Sequence, residues 1–460
     1  MIILRPYQIE GVDNCSIGFK KFKRQILTAP TGAGKTVMFS EIVKRAYERG
    51  TNTLVLTNRI ELFNQTFKSL SITGIPIQKI YSDNKNISDL AVINVAMVET
   101  LIKRISKGLV LNPKLIIIDE CHIASFNKII DLFEDSLVLG CSATPEGKHI
   151  FKYYENIIST LDIPDLVEQG FLVDCKAYQM QDDFSDLEIK AGEYTDQSLL
   201  NHFDKPKLYD GVIEEWKKHA NGLKTLIFCI NIKHTISTYY AFVNAGISCE
   251  YLTSKTISED RKRILAAYKS GSFLVLINCG ILTTGYDEPS IQCVVMNRAT
   301  KSLPLFLQCA GRGSRLYPNK EHFILLDFGM NHDRHGMWNE DRNWKLKPPK
   351  TKKESVAPVK ECGNSECGCL VAASTMVCKY CGYIFPVKES EISSGVMVEV
   401  TTKIPSQFEG MRISDLSVHD LLELEKSKKY KSSFIWRVIC SHGEEAVLIY
   451  AKIKGYKNGW

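Results

Sequence analysis

The sequence predicts an α/β protein: two tandem parallel-sheet domains, then a small cysteine-rich module and a short, mainly helical C-terminal domain. Three observations carry that expectation. Runs of consecutive apolar residues, such as Leu115-Ile116-Ile117-Ile118 and Leu274-Val275-Leu276-Ile277, alternate with helical stretches, as strands buried on both faces do. The alternation runs from the N-terminus to about residue 160, lapses, and restarts at Thr225. Five of the fifteen cysteines then crowd between Cys362 and Cys381. At 460 residues the chain is long enough for about three domains, and the expected boundaries are 1–160, 161–340, 341–390 and 391–460.

Gln25-Ile26-Leu27-Thr28 reads as the first buried strand and Val37 to Lys44 as the helix that follows. Between them lies Ala29-Pro30-Thr31-Gly32-Ala33-Gly34-Lys35-Thr36. Small residues there let backbone N–H groups wrap phosphates, and the helix N-terminus adds its positive end. Thr31, Gly32, Ala33 and Gly34 form the expected cradle, Lys35 reaches the β- and γ-phosphates, and the Thr36 hydroxyl ligates Mg²⁺. Thr31 stands where the general pattern often has its first glycine, and a plain strand-to-helix turn is the alternative. Upstream, Arg5-Pro6-Tyr7-Gln8 precedes a helix expected over Ile9 to Phe19. The Gln8 amide can read the exocyclic amine and N7 of adenine, with Tyr7 packed on the base. A helix cap is the alternative for this block.

The strand Thr53 to Thr57 ends in Asn58 and Arg59, and Ile60 to Leu70 reads as a helix. Ligand groups in parallel sheets gather at such strand ends, so Asn58 and Arg59 are expected to touch nucleic-acid phosphates. Val92 to Thr100 repeats the arrangement. The central strand Leu115 to Ile118 ends in Asp119-Glu120-Cys121-His122. Two carboxylates at that tip suit two tasks: Asp119 holds Mg²⁺, partly through water, and Glu120 polarises an attacking water. His122 would relay the nucleotide state; two acids capping a helix is the bland alternative. Leu137 to Pro145 is another buried strand, whose Ser142 and Thr144 can bridge the carboxylate pair to the second domain.

Leu161 to Asn201 reads as the connection between the domains. Within it, Pro164-Asp165 and Glu188-Ile189-Lys190 have the loose spacing of a metal-dependent nuclease, and solvated charges are the expected reading. Beyond Thr225, strands are expected at Leu226 to Cys229, with Asn231 at the tip, and at Cys249 to Leu252, Phe273 to Asn278 and Gln292 to Met296. Helices from His234 to Ala245 and from Glu259 to Ser270 supply right-handed crossovers. Then Gln308-Cys309-Ala310-Gly311-Arg312-Gly313-Ser314-Arg315 places two arginines three residues apart, on one face of an expected helix. A guanidinium fork suits a γ-phosphate whose charge spreads in the transition state, which makes Arg312 the expected arginine finger across an interdomain cleft. A basic helix face is the alternative.

Arg-Pro-Tyr-Gln, Gly-Ala-Gly-Lys-Thr, Asp-Glu-Cys-His, Ser-Ala-Thr, Thr-Thr-Gly-Tyr-Asp and Gln-x-x-Gly-Arg-x-x-Arg follow one another in this order. The set resembles the DEAD/DEAH-type helicases of superfamily two, over roughly Ile3 to Gly336. Asp-Glu-Cys-His departs from Asp-Glu-Ala-His only at its small third position. The short N-terminus lacks the upstream aromatic of DEAD-box RNA helicases, so the resemblance points to the DNA-directed XPB-like and restriction-helicase branch. It implies two RecA-like domains closing on ATP and Mg²⁺, and translocation on single-stranded, forked or branched DNA in replication, recombination or repair. It further implies that Gly285 and Asp287 couple DNA to nucleotide, that Thr284 and Asn231 contact nucleic acid, that Gln308 and Arg312 face the phosphates, and that Arg315 supports them. An RNA helicase, and a DNA-binding ATPase subunit that recruits partners, stay open as alternatives.

Hydrophobic content of 44% and charged content of 24% are those of a soluble globular protein. The net charge of +6 is mild, so any basic surface must be local. No apolar run approaches the roughly 18 residues of a membrane helix, and Met1 to Pro6 has no leader pattern, so a cytoplasmic protein without a membrane partner is expected. Ten cysteines are scattered singly, as small hydrophobes in a reducing compartment. Lys345 to Lys360, with six lysines and three prolines, reads as an extended basic linker. Cys362, Cys367, Cys378 and Cys381 then fit a structural Cys₄ zinc ribbon, in which Cys369 can replace Cys367; reactive thiols or a disulfide are the alternative. Helices are expected at Ile413 to Lys426, Ser433 to Cys440 and Glu444 to Ile453. The interleaved basic and aromatic residues of the tail, to Trp460, suit a single-strand binding surface or a small helical core. Motor, ribbon and tail together resemble stand-alone helicases encoded by bacteriophages, with replication or recombination proteins as implied partners.

Overall fold

The apolar runs of the first 160 residues become strands of one sheet: β1 (Arg24–Thr28), β2 (Thr53–Thr57), β3 (Gln78–Ile80), β4 (Ile93–Met97), β5 (Leu115–Asp119), β6 (Leu137–Ser142) and β7 (Asn156–Ser159). All pair in parallel, in the order β3-β4-β2-β5-β6-β1-β7. β2 and β5 are buried at every residue, as expected where helices cover both faces. The register sets Thr28 beside Ser142 and Asp119 beside Cys141. These strand tips therefore lie together at the carboxyl ends of the strands, where parallel sheets bind ligands. The computed structural model describes residues 4–81, 92–180, 182, 184, 187–342, 344–346, 359–361, 364, 367, 370–372, 378, 381–383, 397–400, 416–428 and 432–454.

The second sheet draws on β8 (Asp174–Gln179), β11 (Thr225–Cys229), β12 (Cys249–Leu252), β13 (Val275–Asn278), β14 (Cys293–Asn297) and β15 (His322–Asp327). A small hairpin, β9 (Ile189–Lys190) with β10 (Glu193–Tyr194), stands beside it. A second hairpin, β16 (Val359–Glu361) with β17 (Leu370–Ala372), precedes the edge strand β18 (Val398–Val400). The order is β12-β13-β11-β14-β15-β8-β18, parallel except for β18. This sheet thus recruits Asp174–Gln179 from the stretch read as a connection. That strand has exposed and half-buried positions along it, so it lacks the continuous apolar run that marks a central strand. Helix Pro206–Ala220 was also missed; it buries Tyr209, Val212, Ile213, Trp216 and Ala220 at helical spacing.

Met1–Leu346 with Gly395–Trp460 form one compact unit, and Lys347–Ser394 a second. In the larger unit one apolar cluster runs from Leu27 and Leu139 to Phe306, Phe323 and Trp338, so the two sheet lobes share a core. Helices Val418–Lys428, Ser432–Ser441 and Glu444–Lys454 stand where C-terminal helices are expected, the first of them starting at Val418 and not at Ile413, and they close on Leu421, Ile435, Ile439 and Tyr450. Among the described residues no helix is long and apolar enough to cross a membrane.

Candidate nucleotide and nucleic-acid site

The loop after β1 turns at Gly32 (φ 99°) and Gly34 (φ 83°), both in the left-handed region that glycine enters freely. Gly34 is the N-cap of helix Lys35–Glu48. A Cβ there would lie 2.5 Å from Gln8 Nε2, and one on Gly32 would lie 2.7 Å from Arg315 Nη1 and from Leu172 Cδ2. Lys35 Nζ donates to the Ala29 carbonyl at 3.3 Å. Thr31 abuts the second lobe, 2.9 Å from where a Cβ on Gly311 would sit.

The first helix begins at Pro6, earlier than expected. Gln8 Oε1 accepts from the Arg5 backbone N–H at 2.9 Å, so Gln8 caps its own helix, the alternative weighed from the sequence. Its Nε2 and the Tyr7 hydroxyl both donate to the Ala33 carbonyl at 2.9 Å, which ties this block to the glycine loop.

At the tip of β5, Asp119 is buried, and Glu120 holds φ 55°, unusual for a residue with a side chain. Burial first, then the neighbouring Glu120 charge, raises the Asp119 carboxyl to about 7, while Lys35 pulls it back down. Glu120 Oε2 lies 3.4 Å from His122 Nδ1, which is 2.9 Å from Ser142 Oγ, and that oxygen accepts from the Thr144 N–H at 3.1 Å. The structure thus links acid, histidine and hydroxyl residues in one chain. Burial lowers the His122 pKa against the opposing pull of Glu120, which favours the neutral ring. Cys121 fills the space over Gly140, where a Cβ would lie 2.7 Å from its Sγ and 2.9 Å from Tyr154 Cε1. That contact leaves no room for a side chain at Gly140.

Helix Leu303–Ala310 stops at Gly311, so Arg312 and Arg315 occupy the turn beyond it and do not lie on a helix face. The cause is tertiary. A side chain on Gly313 would run into the Phe323 ring, so glycine lets the turn settle on β15. Arg312 is 7% exposed. Its Nε and Nη2 donate to the Thr283 carbonyl at 3.2 and 2.6 Å, and its Nη1 to the Tyr286 carbonyl. Burial, reinforced by Arg315, lowers its pKa to about 10, and Glu120 acts in the opposite sense. Arg315, expected to play support, pairs with Asp287 Oδ1 at 3.0 Å and reaches the glycine loop. Gln308 Nε2, Thr284 Oγ1, Thr144 Oγ1 and Asn58 Oδ1 are buried without a partner among the described residues. They leave polar groups for a ligand to satisfy.

Arg59 Nη1 donates to the Gly280 carbonyl of the second lobe at 3.0 Å, and Glu61 pairs with Arg261 at 2.6 Å. Gly285 (φ 74°) sits against Leu62, 3.2 Å from where its Cβ would be. Asn231 caps helix Ile232–Asn244 by accepting from the His234 N–H at 3.0 Å. Asp165 caps helix Ile163–Glu168, and Lys190 is exposed in β9, in line with the reading of these residues as ordinary charges. Sequence reasoning missed Arg261 and Gly280, neither of which lies in a motif-like context.

In the smaller unit the Sγ atoms of Cys367, Cys378 and Cys381 all lie within 4.8 Å of one another, with Cys367 and Cys378 3.9 Å apart. Cys378 N–H donates to the Tyr383 carbonyl and Gly382 N–H to the Cys378 carbonyl, each at 2.8 Å, folding a tight knuckle. The expected ligand Cys362 and the alternative Cys369 lie outside the described residues.

The family of the type III restriction enzyme res subunit matches residues 1–147, and the helicase conserved C-terminal domain matches residues 205–317. A 51.5 kDa protein of a Lactococcus phage (isolate 7-9) is 29% identical over 379 residues, 79% of each chain. The candidate ATP-dependent helicase IRC3 of Saccharomyces cerevisiae is 32% identical over 361 residues, 71% of this chain and 51% of its own. The chain therefore spans about half the length of that yeast relative. A solved fragment of a candidate HsdR subunit of a type I restriction enzyme from Vibrio vulnificus YJ016 has a TM-score of 0.59. The match covers 73% of this chain and 67% of that one at 22% identity, a likeness of fold.

Proposed function

We propose that the chain, which matches a restriction-enzyme res-subunit family over residues 1–147 and a helicase C-terminal family over residues 205–317, is an ATP-driven DNA translocase or helicase of the restriction-enzyme and XPB-like branch of superfamily two. One observation carries the reading: Arg315 of the second lobe lies against Gly32 of the first lobe's glycine loop, so the residues a nucleotide needs meet at one seam. Thr31 to Thr36 would hold the triphosphate, with Arg5, Tyr7 and Gln8 on the base side. Asp119 and Thr36 would hold Mg²⁺. Their hard oxygen donors suit that ion, and a cation would offset the burial and the Glu120 charge that together hold the Asp119 carboxyl up. Glu120 would orient the attacking water, His122, Ser142 and Thr144 would relay the nucleotide state, and Gln308 and Arg312 would stabilise the transferring phosphoryl group. Gly285 and Asp287 would couple that state to DNA held by Asn58, Arg59, Asn231 and Thr284.

The cysteine cluster supports a structural zinc. At Zn–S bonds of about 2.3 Å, tetrahedral thiolates stand about 3.8 Å apart, near the 3.9 Å between Cys367 and Cys378. The test of function is ATP turnover without nucleic acid and with single-stranded DNA, forked DNA and RNA of the same sequence, read beside strand displacement. DNA-stimulated turnover with displacement is expected, and turnover indifferent to nucleic acid would sink the reading. Stimulation by RNA alone would reassign the substrate. Leu448, 70% exposed on the last helix, and the separate 347–394 unit favour a second reading, an ATPase subunit that recruits partners. Hydrolysis on DNA with displacement only after a replication or recombination protein is added would support it.

A further inference from the structure

We propose that Lys320 is a positioning residue for the Arg315–Asp287 pair, its side chain clamping together the two loops that carry the pair. The inference rests on the ATPase reading and adds a residue that none of the motifs contains. Within the turn from Leu316 to Lys320 the usual burial is inverted: Leu316 and Tyr317 are 46% and 49% exposed, and Lys320 is 8% exposed. A lysine is almost never buried unless its charge is answered, so its place here needs a reason. Asn319 enters the left-handed region at φ 61°, and the Lys320 N–H donates to the Tyr317 carbonyl at 3.1 Å, a tight turn that sends the lysine inward.

The reason lies on both sides of the ion pair. Lys320 Nζ donates to the Arg315 carbonyl at 2.9 Å and to the Pro289 carbonyl at 3.1 Å. Arg315 Nε meets Asp287 Oδ1 at 3.0 Å, two residues before that proline. Lysine, arginine turn and aspartate loop therefore close a ring, and the Arg315 guanidinium extends from it to Gly32. The far side of the aspartate loop is fixed as well. Buried Glu288 accepts from the Ser290 N–H at 3.2 Å. Lys224 Nζ donates to the Ser290 hydroxyl at 2.7 Å and stands 3.8 Å from Glu288 Oε1. The charges that face Lys320 are thus Arg315 and Glu288, with Asp287 and Lys224 one step removed as their partners. Burial first, then Arg315, brings the Lys320 pKa down to about 7, and Glu288 opposes them. The clamp is strongest as the ammonium, a charge-assisted donor to both carbonyls, and slackens as pH rises through that value.

Lys320→Met keeps the length of the side chain and removes its donors. It is expected to lower kcat for DNA-stimulated ATP turnover by about 10- to 100-fold, and to leave the KM for ATP in place because the glycine loop belongs to the other lobe. Combined with Asp287→Asn the losses should not add, because both changes break one ring. Lys320→Arg, charged at every pH used, should recover most of the loss. The ratio of wild-type to Lys320→Arg turnover should fall as pH rises from about 6 to about 8. Asp119 titrates in the same range, but it is common to both chains and cancels from the ratio. Wild-type kcat in Lys320→Met, even with a lowered thermal midpoint, would overturn the inference and leave the ATPase standing. Additive losses with Asp287→Asn, or a ratio that stays flat with pH, would overturn it too. Should one variant fail to fold, the other decides. A wild-type chain with no ATP turnover for Lys35→Ala to abolish would remove both readings.

Discussion

Arg315 joins two loops of different lobes: its Nε pairs with Asp287 Oδ1 at 3.0 Å, and its Nη1 lies 2.7 Å from where a Cβ on Gly32 would sit. Gly32 therefore answers two demands, a φ of 99° and room for a guanidinium. An alanine there would strain the backbone by about 1–2 kcal/mol and collide with both Arg315 and Leu172. Gly32→Ala is expected to cut DNA-stimulated ATP turnover by about 10-fold or more, and to lower the thermal midpoint by a few degrees. Steady-state turnover at saturating ATP checks it, and wild-type turnover would show that the two loops need not meet.

Arg312 is enclosed differently, with three donor nitrogens on the carbonyls of Thr283 and Tyr286. Arg312→Ala is expected to spare nucleotide binding and to slow hydrolysis by about 10³-fold, the scale of a lost arginine finger. It should also lower the thermal midpoint, because the buried carbonyls lose partners at about 1–3 kcal/mol each. Arg312→Lys should behave similarly, since an ammonium cannot reproduce the fork. Nucleotide binding and melting, measured together with turnover, separate the two effects.

Asp119 makes stability depend on pH with a definite sign. Its carboxyl is raised from 3.8 to about 7, chiefly by burial and then by Glu120. Between those values the folded chain holds a proton that the unfolded chain has released, so stability falls as pH rises through the interval. Asp119→Asn removes this term. The nucleotide-free variant is expected to melt higher than wild type at about pH 8, with the gap closing toward about pH 5, while Mg²⁺-dependent turnover is lost. An equal gap at both pH values in calorimetry would count against a buried, destabilised carboxyl.

What the sequence disclosed follows how locally each feature is built. The glycine loop and the Asp119-Glu120 tip were legible because strand, turn and helix are consecutive, so neighbouring residues encode both the chemistry and its placement. The arginine types at 312 and 315 were legible, and their setting in a turn was not, because that turn packs Gly313 against Phe323, in another strand. β8 escaped because a partly exposed strand lacks a continuous apolar run. Arg261 owes its interest to a partner far along the chain, Glu61, and no local pattern marks such a residue. Asn231 shows the converse: a polar residue at a strand tip does suggest a ligand contact, yet here it caps the next helix.

Arg59 now donates to the Gly280 carbonyl, a contact with little competition from burial, since the side chain is exposed at that bond. A DNA phosphate offers this guanidinium a charged acceptor, a stronger partner than a neutral carbonyl. Arg59→Ala is therefore expected to weaken DNA binding to a similar degree across sequences, and to reduce the salt dependence of log affinity by about one ion. Titrations of a fluorescent oligonucleotide at several salt concentrations read both. An unchanged slope would confine Arg59 to joining the lobes.

The cysteine module supplies the last expectation. Its described apolar cluster is only Cys378 with Cys367 and Tyr383 around it, too little to fold a unit of this size without a metal. The purified chain is expected to carry about one zinc, bound through four thiolates. Cys378→Ser or Cys381→Ser should release it, and comparison of Cys367→Ser with Cys369→Ser decides the contested ligand: metal retained in the second and lost in the first assigns Cys367. Cobalt substitution should show the thiolate charge-transfer bands of a tetrahedral four-sulfur site, which Cys362→Ser would weaken if that residue completes the set. Because residues 347–394 form a compact unit of their own, chelation should melt that unit and leave the thermal midpoint of the larger one in place. Chelation that unfolded both together would mean that the metal supports the motor as well.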